Sequence, residues 1–257
     1  MLLEGKNCII YGGAGGIGSG VARTFAREGA RLFLVGRTRA TLDALAGELG
    51  DAAEVAVFDV RDGDAVEAHV RDVVARAGSL DVSFNLVTRD DVQGIPLVDM
   101  SWEDFNSPVA NGLQANFNTA TSAARVMAAQ GGGVILTVTS GSSKGAHPAM
   151  GGTGPADAAT ETFLRYLAAE AGSQGVRVLA IHTAGVQETL TSRKLQDVNS
   201  DAPDPEDVIR MISGMTLLQR APRLAEVAET AAFLASDRAS GITASIANVT
   251  CGLVTAP

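Results

Sequence analysis

The residues with the plainest chemical potential are the glycines of YGGAGGIGSG, residues 11–20, which end an apolar stretch and open a helical pattern, VARTFAREG. Gly13-x-Gly15-x-x-Gly18 has the spacing of a dinucleotide-binding turn, and Gly12-x-x-x-Gly16-x-Gly18, with Ile17 inside it, has the related spacing with one extra residue. Glycine is needed there because the backbone must turn tightly and approach a pyrophosphate closely. The anion then rests on the N–H groups at the start of the helix. About 20 positions on, an acidic residue would bind the ribose hydroxyls of NAD, whereas an arginine accommodates a 2′-phosphate. The chain reads LFLVGRTRAT, with Gly36 and Arg37 at that point and Arg39 close by, so NADP(H) is expected over NAD(H). A second group of reactive side chains lies in GSSKGAHPAMGGTG, residues 141–154. It holds Ser142, Ser143, Lys144 and His147, of which Lys144 and His147 are candidate proton donors or solvated loop residues.

These groups need a scaffold, and the hydrophobic pattern supplies one. Short runs rich in Val, Ile, Leu and Phe fall at 7–11, 31–35, 54–58, 82–87, 134–139, 176–182 and 245–249. Between them, apolar residues recur at helical spacing over 18–28, 41–49, 64–77, 112–129, 156–171 and 225–235. Alternation of this kind implies parallel strands joined by crossover helices, and near-continuous apolar strands imply a sheet covered on both faces. The expected fold is α/β, a Rossmann-type doubly wound parallel sheet of about seven strands in a three-layer sandwich. No linker or repeat divides the chain, so residues 1–257 are read as one dinucleotide-binding domain. The stretch from Val186 to Met215 resists the alternation and carries NSDAPDPED. Following the sixth strand, it lies at the carboxyl edge of the sheet, as either a substrate lid or a connecting excursion.

Composition removes several classes of function. The chain has 257 residues, a formal charge of −9 and 46% hydrophobic residues, enough for a substantial core. Only three of its 20 basic residues are lysines, and they form no tail or stripe, so binding to nucleic acid is not expected. Two cysteines, Cys8 and Cys251, provide neither a disulfide framework nor a thiolate zinc site, and His69 and His182 have no partner at metal-ligand spacing. No metal is expected. With no apolar run long enough to span a bilayer and a start that leads directly into a strand pattern, a cytoplasmic chain without a membrane role is the expectation.

Taken together, YGGAGGIG, Phe58-Asp59-Val60, the strand ending in Thr139-Ser140, RYLAAEAGSQGVRVLAI and ETAAFLASDRASGIT resemble the short-chain dehydrogenase/reductase family over essentially the whole chain. The stretch from Phe163 through Gly185, with IHTAGVQETL, is also similar to the enoyl-thioester reductase branch. The resemblance implies a nicotinamide cofactor, with Asp59 and Val60 beside the adenine and with Asn85 and Gly185 in the cofactor pocket. It further implies a small-molecule substrate and a homodimer or homotetramer packed through the helices at 112–129 and 156–171.

The family's chemistry uses Ser, Tyr and Lys, with an Asn in the proton relay. Ser140 matches the Ser, and Asn111 is the best match to the Asn, with Asn116 a rival. Where Tyr-x-x-x-Lys should follow, this chain has Thr153-Gly-Pro-Ala-Asp157. An aliphatic hydroxyl is a far weaker acid than a phenol, and a neighbouring carboxylate raises its pKa further. Tyr166 lies one helix span, roughly 20 Å, beyond Thr153, so it is no substitute. Tyr11 is nearer, at the glycine turn. His147 is a candidate replacement donor, and Asp157 a candidate to hold ribose hydroxyls in place of the lysine. Asn-Asn-Ala-Gly has become Asn85-Leu-Val-Thr88, and Pro-Gly has become Ala184-Gly185. The expected function is an atypical oxidoreductase transferring hydride between NADP(H) and a carbonyl or conjugated carbonyl. A silent NADP(H)-binding sensor or partner protein and non-redox chemistry, such as dehydration or cyclisation, are the alternatives.

Overall fold

The computed structural model describes residues 1–145 and 147–255. The strands are β1 (Asn7–Tyr11), β2 (Arg31–Gly36), β3 (Ala53–Val57), β4 (Val82–Asn85), β5 (Gly133–Ser140), β6 (Val176–Thr183) and β7 (Ser245–Val249). They form one sheet in the order β3-β2-β1-β4-β5-β6-β7 with every neighbouring pair parallel. The order reverses between β1 and β4, and the crevice at the carboxyl ends of such strands is where this architecture takes its ligands.

The helices are α1 (Gly16–Arg27), α2 (Arg39–Leu49), α3 (Gly63–Ala77), α4 (Trp102–Gln130), α5 (Thr153–Ala171), α6 (Ser192–Val198), α7 (Pro205–Met215) and α8 (Leu224–Ala235). Successive strand residues point to opposite faces, so β1 serves two cores. Cys8 and Ile10 pack with Val21 and Phe25 of α1, Leu42 of α2 and Val227 of α8. Ile9 and Tyr11 pack with Val70 of α3, Met127 of α4 and Leu164 of α5. These are the two outer layers of the expected sandwich. Among the described residues no helix is long and apolar enough to cross a membrane.

The largest departures from the sequence reading are three, each with a local reason. β4 stops at Asn85 rather than residue 87, because the Asn85 side chain accepts from Val87 N–H at 3.2 Å and turns the chain. α4 begins ten residues before the expected start. Ser101 caps it by accepting from Asp104 N–H, and Pro108, which argues for a break in sequence, is buried inside it. A side chain on Gly152 would strike Phe105 O and Pro108 Cγ, so the proline is held by tertiary packing. Finally, the stretch from Val186 to Met215 contains two helices. Thr191 caps α6 through Lys194 N–H, and α7 starts on Pro205 with Glu206 and Asp207 in its first turn.

Candidate functional site

The glycine turn fills the switch point between β1 and β4. Gly12 has a φ of +75°, and a Cβ there would stand 2.6 Å from Leu86 O, so the turn lies directly on the segment leaving β4. A Cβ on Gly18 would overlap Gly12 O. Gly13 is likewise crowded by Ile10 O and Leu34, and Ile17 packs against the core. Gly15 precedes α1 with no side-chain cap, which leaves the first N–H groups of the helix without intrahelical partners. A cleft of about 620 Å³ opens in front of them, lined by Gly12, Gly15, Gly16, Arg37, Asp59 and Asn111 among others.

That cleft fits a phosphorylated dinucleotide by its donor set: uncapped helix N–H groups at one wall and a guanidinium at another. Arg37 lines it with no ion pair among the described residues, whereas Arg39 turns to Asp43 at 2.9 Å. Of these two arginines, Arg37 alone lines the cleft. Asp59 and Val60 line the cleft as well. The Arg61 side chain holds Asp59 at 2.6 Å and keeps its carboxyl below the ordinary value. Asn111 accepts from Arg61 at 3.4 Å and donates to Asp90 and Ser107, both at 3.1 Å. Asn85 and Gly185 do not line the cleft. Asn85 is buried with its Nδ2 unpartnered, and Gly185 lies against Ile212 and Leu190.

Beyond the cleft wall, the positions expected to carry catalysis form one buried network. Thr153 and Asp157 are four residues apart on α5, hence on one face. Asp157, 0% exposed, accepts from Ser140 N–H at 3.1 Å, from Ser140 Oγ–H at 2.6 Å and from Arg89 Nη1. Arg89 is in turn held by Asp91 at 3.2 Å. Thr153, 4% exposed, donates to Asp91 at 2.9 Å and accepts from Gln93 Nε2 at 3.2 Å. Burial disfavours the Arg89 charge, yet the two carboxylates together push its pKa up, so the guanidinium stays ionised.

Several expectations are corrected by this arrangement. Asp157 is enclosed and saturated by donors, so it is not placed to hold ribose hydroxyls. The Ser140 and Thr153 hydroxyl protons point at carboxylates rather than into the cleft. No hydrogen bond joins Asn111 or Asn116 to Ser140, Thr153 or Asp157. Asn116 instead donates to Gly112 O at 2.9 Å within α4. His147 is exposed, outside the cleft lining and outside this network. Tyr11 is buried in the core with its hydroxyl unpartnered and its pKa pushed up by burial, and Tyr166 is 70% exposed on α5. Neither tyrosine is a proton donor here.

Lys144 belongs to a separate cluster. It lies 3.8 Å from Glu161, whose other oxygen is 2.6 Å from His182 Nε2, and Ser143 Oγ approaches the same nitrogen at 3.3 Å. Burial opposes ionisation of Glu161, but His182, Ser143 and Lys144 together hold its carboxyl below the ordinary range. Because Ser143 and Glu161 both meet one ring nitrogen, the three do not form a nucleophile–base–orienter chain.

The functional groups absent from the sequence reading are Arg89, Asp91, Gln93 and Lys194. The first three follow β4 directly, and the charged run Arg89-Asp90-Asp91 at a strand's carboxyl end was a signal available in sequence. Lys194 lies on α6 and lines the cleft.

Comparison with known proteins agrees with this geometry. Residues 12–254 match a family model described as enoyl-(acyl carrier protein) reductase. The chain is 31% identical over 255 residues to oxidoreductase asL5 of Sarocladium schorii, covering 98% of this chain and 96% of that one. It is 30% identical over 259 residues to the 3-oxoacyl-[acyl-carrier-protein] reductase FabG of Thermotoga maritima, covering 99% and 100%. The crystal structure of NAD+-bound xylitol dehydrogenase has the same fold, with a TM-score of 0.86 at 23% identity over 97% of this chain and 99% of that one. With its parallel seven-stranded sheet, its glycine turn at the switch point and these matches along its full length, the chain belongs to the short-chain dehydrogenase/reductase family of oxidoreductases.

Proposed function

We propose that this protein is an NADP(H)-dependent reductase of carbon–carbon double bonds conjugated to a carbonyl, and that it leaves isolated ketones untouched. One observation carries the reading: the hydroxyls of Ser140 and Thr153 are both donated to carboxylates, at 2.6 and 2.9 Å, beside a cleft that keeps its dinucleotide features. Reducing an isolated ketone places negative charge on oxygen, which must be protonated as it forms. In a conjugated system the charge spreads into an enolate, and polarisation of the oxygen suffices. When bound, the nicotinamide supplies the hydride. The uncapped start of α1 holds the diphosphate, and Arg37 holds the 2′-phosphate. The name of the matching family model, an enoyl reductase, is consistent with this substrate class. Exposed Phe117 on α4 and Tyr166 on α5 mark the face through which a second copy of the chain would pack.

The Arg37 assignment is tested by titrating the protein with NADPH and NADH by nicotinamide fluorescence. NADPH is expected to bind more tightly. Arg37→Ala should cost NADPH a charge-assisted contact of about 1.5–3 kcal/mol, roughly a 10- to 100-fold loss, with NADH little changed. Equal affinities, or tighter NADH, would sink the NADP(H) assignment. A second reading, NADP(H) binding without turnover, rests on the same sealed hydroxyls and is separated by whether cyclohex-2-enone oxidises NADPH.

A further inference from the structure

The cations that line the cleft are not equivalent. Arg61 is taken up by Asp59, and Arg37 stands near the end of β2. Arg193 and Lys194 of α6 also line the cleft. The other two lysines of the chain are paired, Lys6 with Asp237 at 3.1 Å and Lys144 with Glu161 at 3.8 Å. The Lys194 ammonium lines the cleft with no ion pair or hydrogen bond to its side chain among the described residues. Lys194 is exposed on α6, at the lining of the cleft. The surroundings lower its pKa by burial, with the charge of Asp91 opposing. An arginine is always charged and cannot release a proton, whereas a lysine in such a setting can.

We propose that Lys194 is the acid of this site, delivering a proton to the α-carbon, and not to the carbonyl oxygen, to complete reduction of the conjugated double bond; this rests on the substrate class proposed above. As hydride adds at the β-carbon, the π pair moves toward the carbonyl and the enolate forms. An N–H bond of the Lys194 ammonium then breaks, its electron pair stays on nitrogen, and a C–H bond forms at the α-carbon. Hydride and proton together saturate the bond, and the neutral amine takes a proton from water in the cleft. The charged groups that line the same cleft are Arg193 and Asp197 on α6, Glu188 before it, Asp90 after β4, Asp59 and Arg61 after β3, and Arg37 after β2, while Asp91 acts on the ammonium from outside the lining. Glu188 is engaged with Leu224 N–H at 2.9 Å, and Asp91 with Thr153 and Arg89.

The test compares the full chain with Lys194→Met and Lys194→Arg, using NADPH and cyclohex-2-enone as probes. Lys194→Met should bind NADPH with an unchanged Kd while kcat falls ~10²- to 10⁴-fold, the usual contribution of general acid catalysis. Lys194→Arg should be equally slow, since it keeps the charge but not the transferable proton. Independently of turnover, the three lysines can be dimethylated and followed by 13C NMR in the cofactor-free protein, where the Lys194 signal should titrate below the other two. Weaker NADPH binding with kcat retained would reduce Lys194 to a phosphate contact and overturn the proposal. Rescue of kcat by Lys194→Arg, or titration of Lys194 together with the other lysines, would overturn it too. A wild-type protein that fails to reduce the enone would overturn the substrate class, while the titration still decides the role of Lys194.

Discussion

Arg89→Met is expected to destabilise the protein by about 3–5 kcal/mol, because it strands the Asp157 carboxylate, 0% exposed, with only the Ser140 donors for company. The double variant Arg89→Met with Asp157→Leu should recover most of that loss, since it removes both buried charges together. Urea denaturation at neutral pH measures both quantities. The deficit of the single variant should shrink as pH falls. Burial already raises the Asp157 carboxyl above its ordinary value, with Arg89 and Ser140 opposing; losing the guanidinium raises it further, so protonation favours the folded form more strongly in the variant. A single variant within 1 kcal/mol of wild type would mean that Arg89 and Asp157 are not the mutually dependent pair described above.

The same pair governs the outcome of restoring the family's Tyr and Lys. Thr153→Tyr with Asp157→Lys would set the introduced ammonium against Arg89, which has then lost one of its two carboxylate partners. The new phenol would also lose the contacts to Asp91 and Gln93 that position Thr153. Two like charges in a buried site disfavour each other, so this double variant is expected to reduce ketones no faster than wild type. Adding Arg89→Gly should remove the conflict and raise ketone reduction by ~10²- to 10⁴-fold over the double variant, the range typical of a gained general acid. NADPH oxidation with cyclohexanone reports the rates. Equal ketone reduction by the double and triple variants would show that Arg89 is not the obstacle.

The swap at positions 153 and 157 was legible only in part. The strands, the glycine turn and the two-faced sheet follow from hydrophobic pattern, which depends on local periodicity and burial. That Asp157 stands where a lysine is usual can also be read from the chain. Its partner cannot, because Arg89 lies 68 residues away and meets it only once β4 and α5 are side by side. The departure from the family pattern at Asn85-Leu-Val-Thr88 ends one residue short of that cation. Ser140 shows the same limit: its presence was clear, but the direction of its hydroxyl depends on the carboxylate delivered by α5. The lid stretch was a different failure. Asp204-Pro205-Glu206-Asp207 is a helix start, with an N-cap residue, proline at N1 and acids in the first turn, yet its acidity and prolines read as loop. With α7 and α6 unseen, Lys194 could not be placed in the cleft.

On the proposed function, the charge-swapped network leaves hydride chemistry to conjugated carbonyls while denying it to ketones. The most direct measurement follows NADPH oxidation by the wild-type protein with cyclohex-2-enone and with cyclohexanone at matched concentrations, with the products identified. The enone should oxidise NADPH and yield cyclohexanone, and cyclohexanone itself should give no turnover above background. Reduction of cyclohexanone to the alcohol at a comparable rate would contradict the account, as would NADPH binding with no oxidation by either compound.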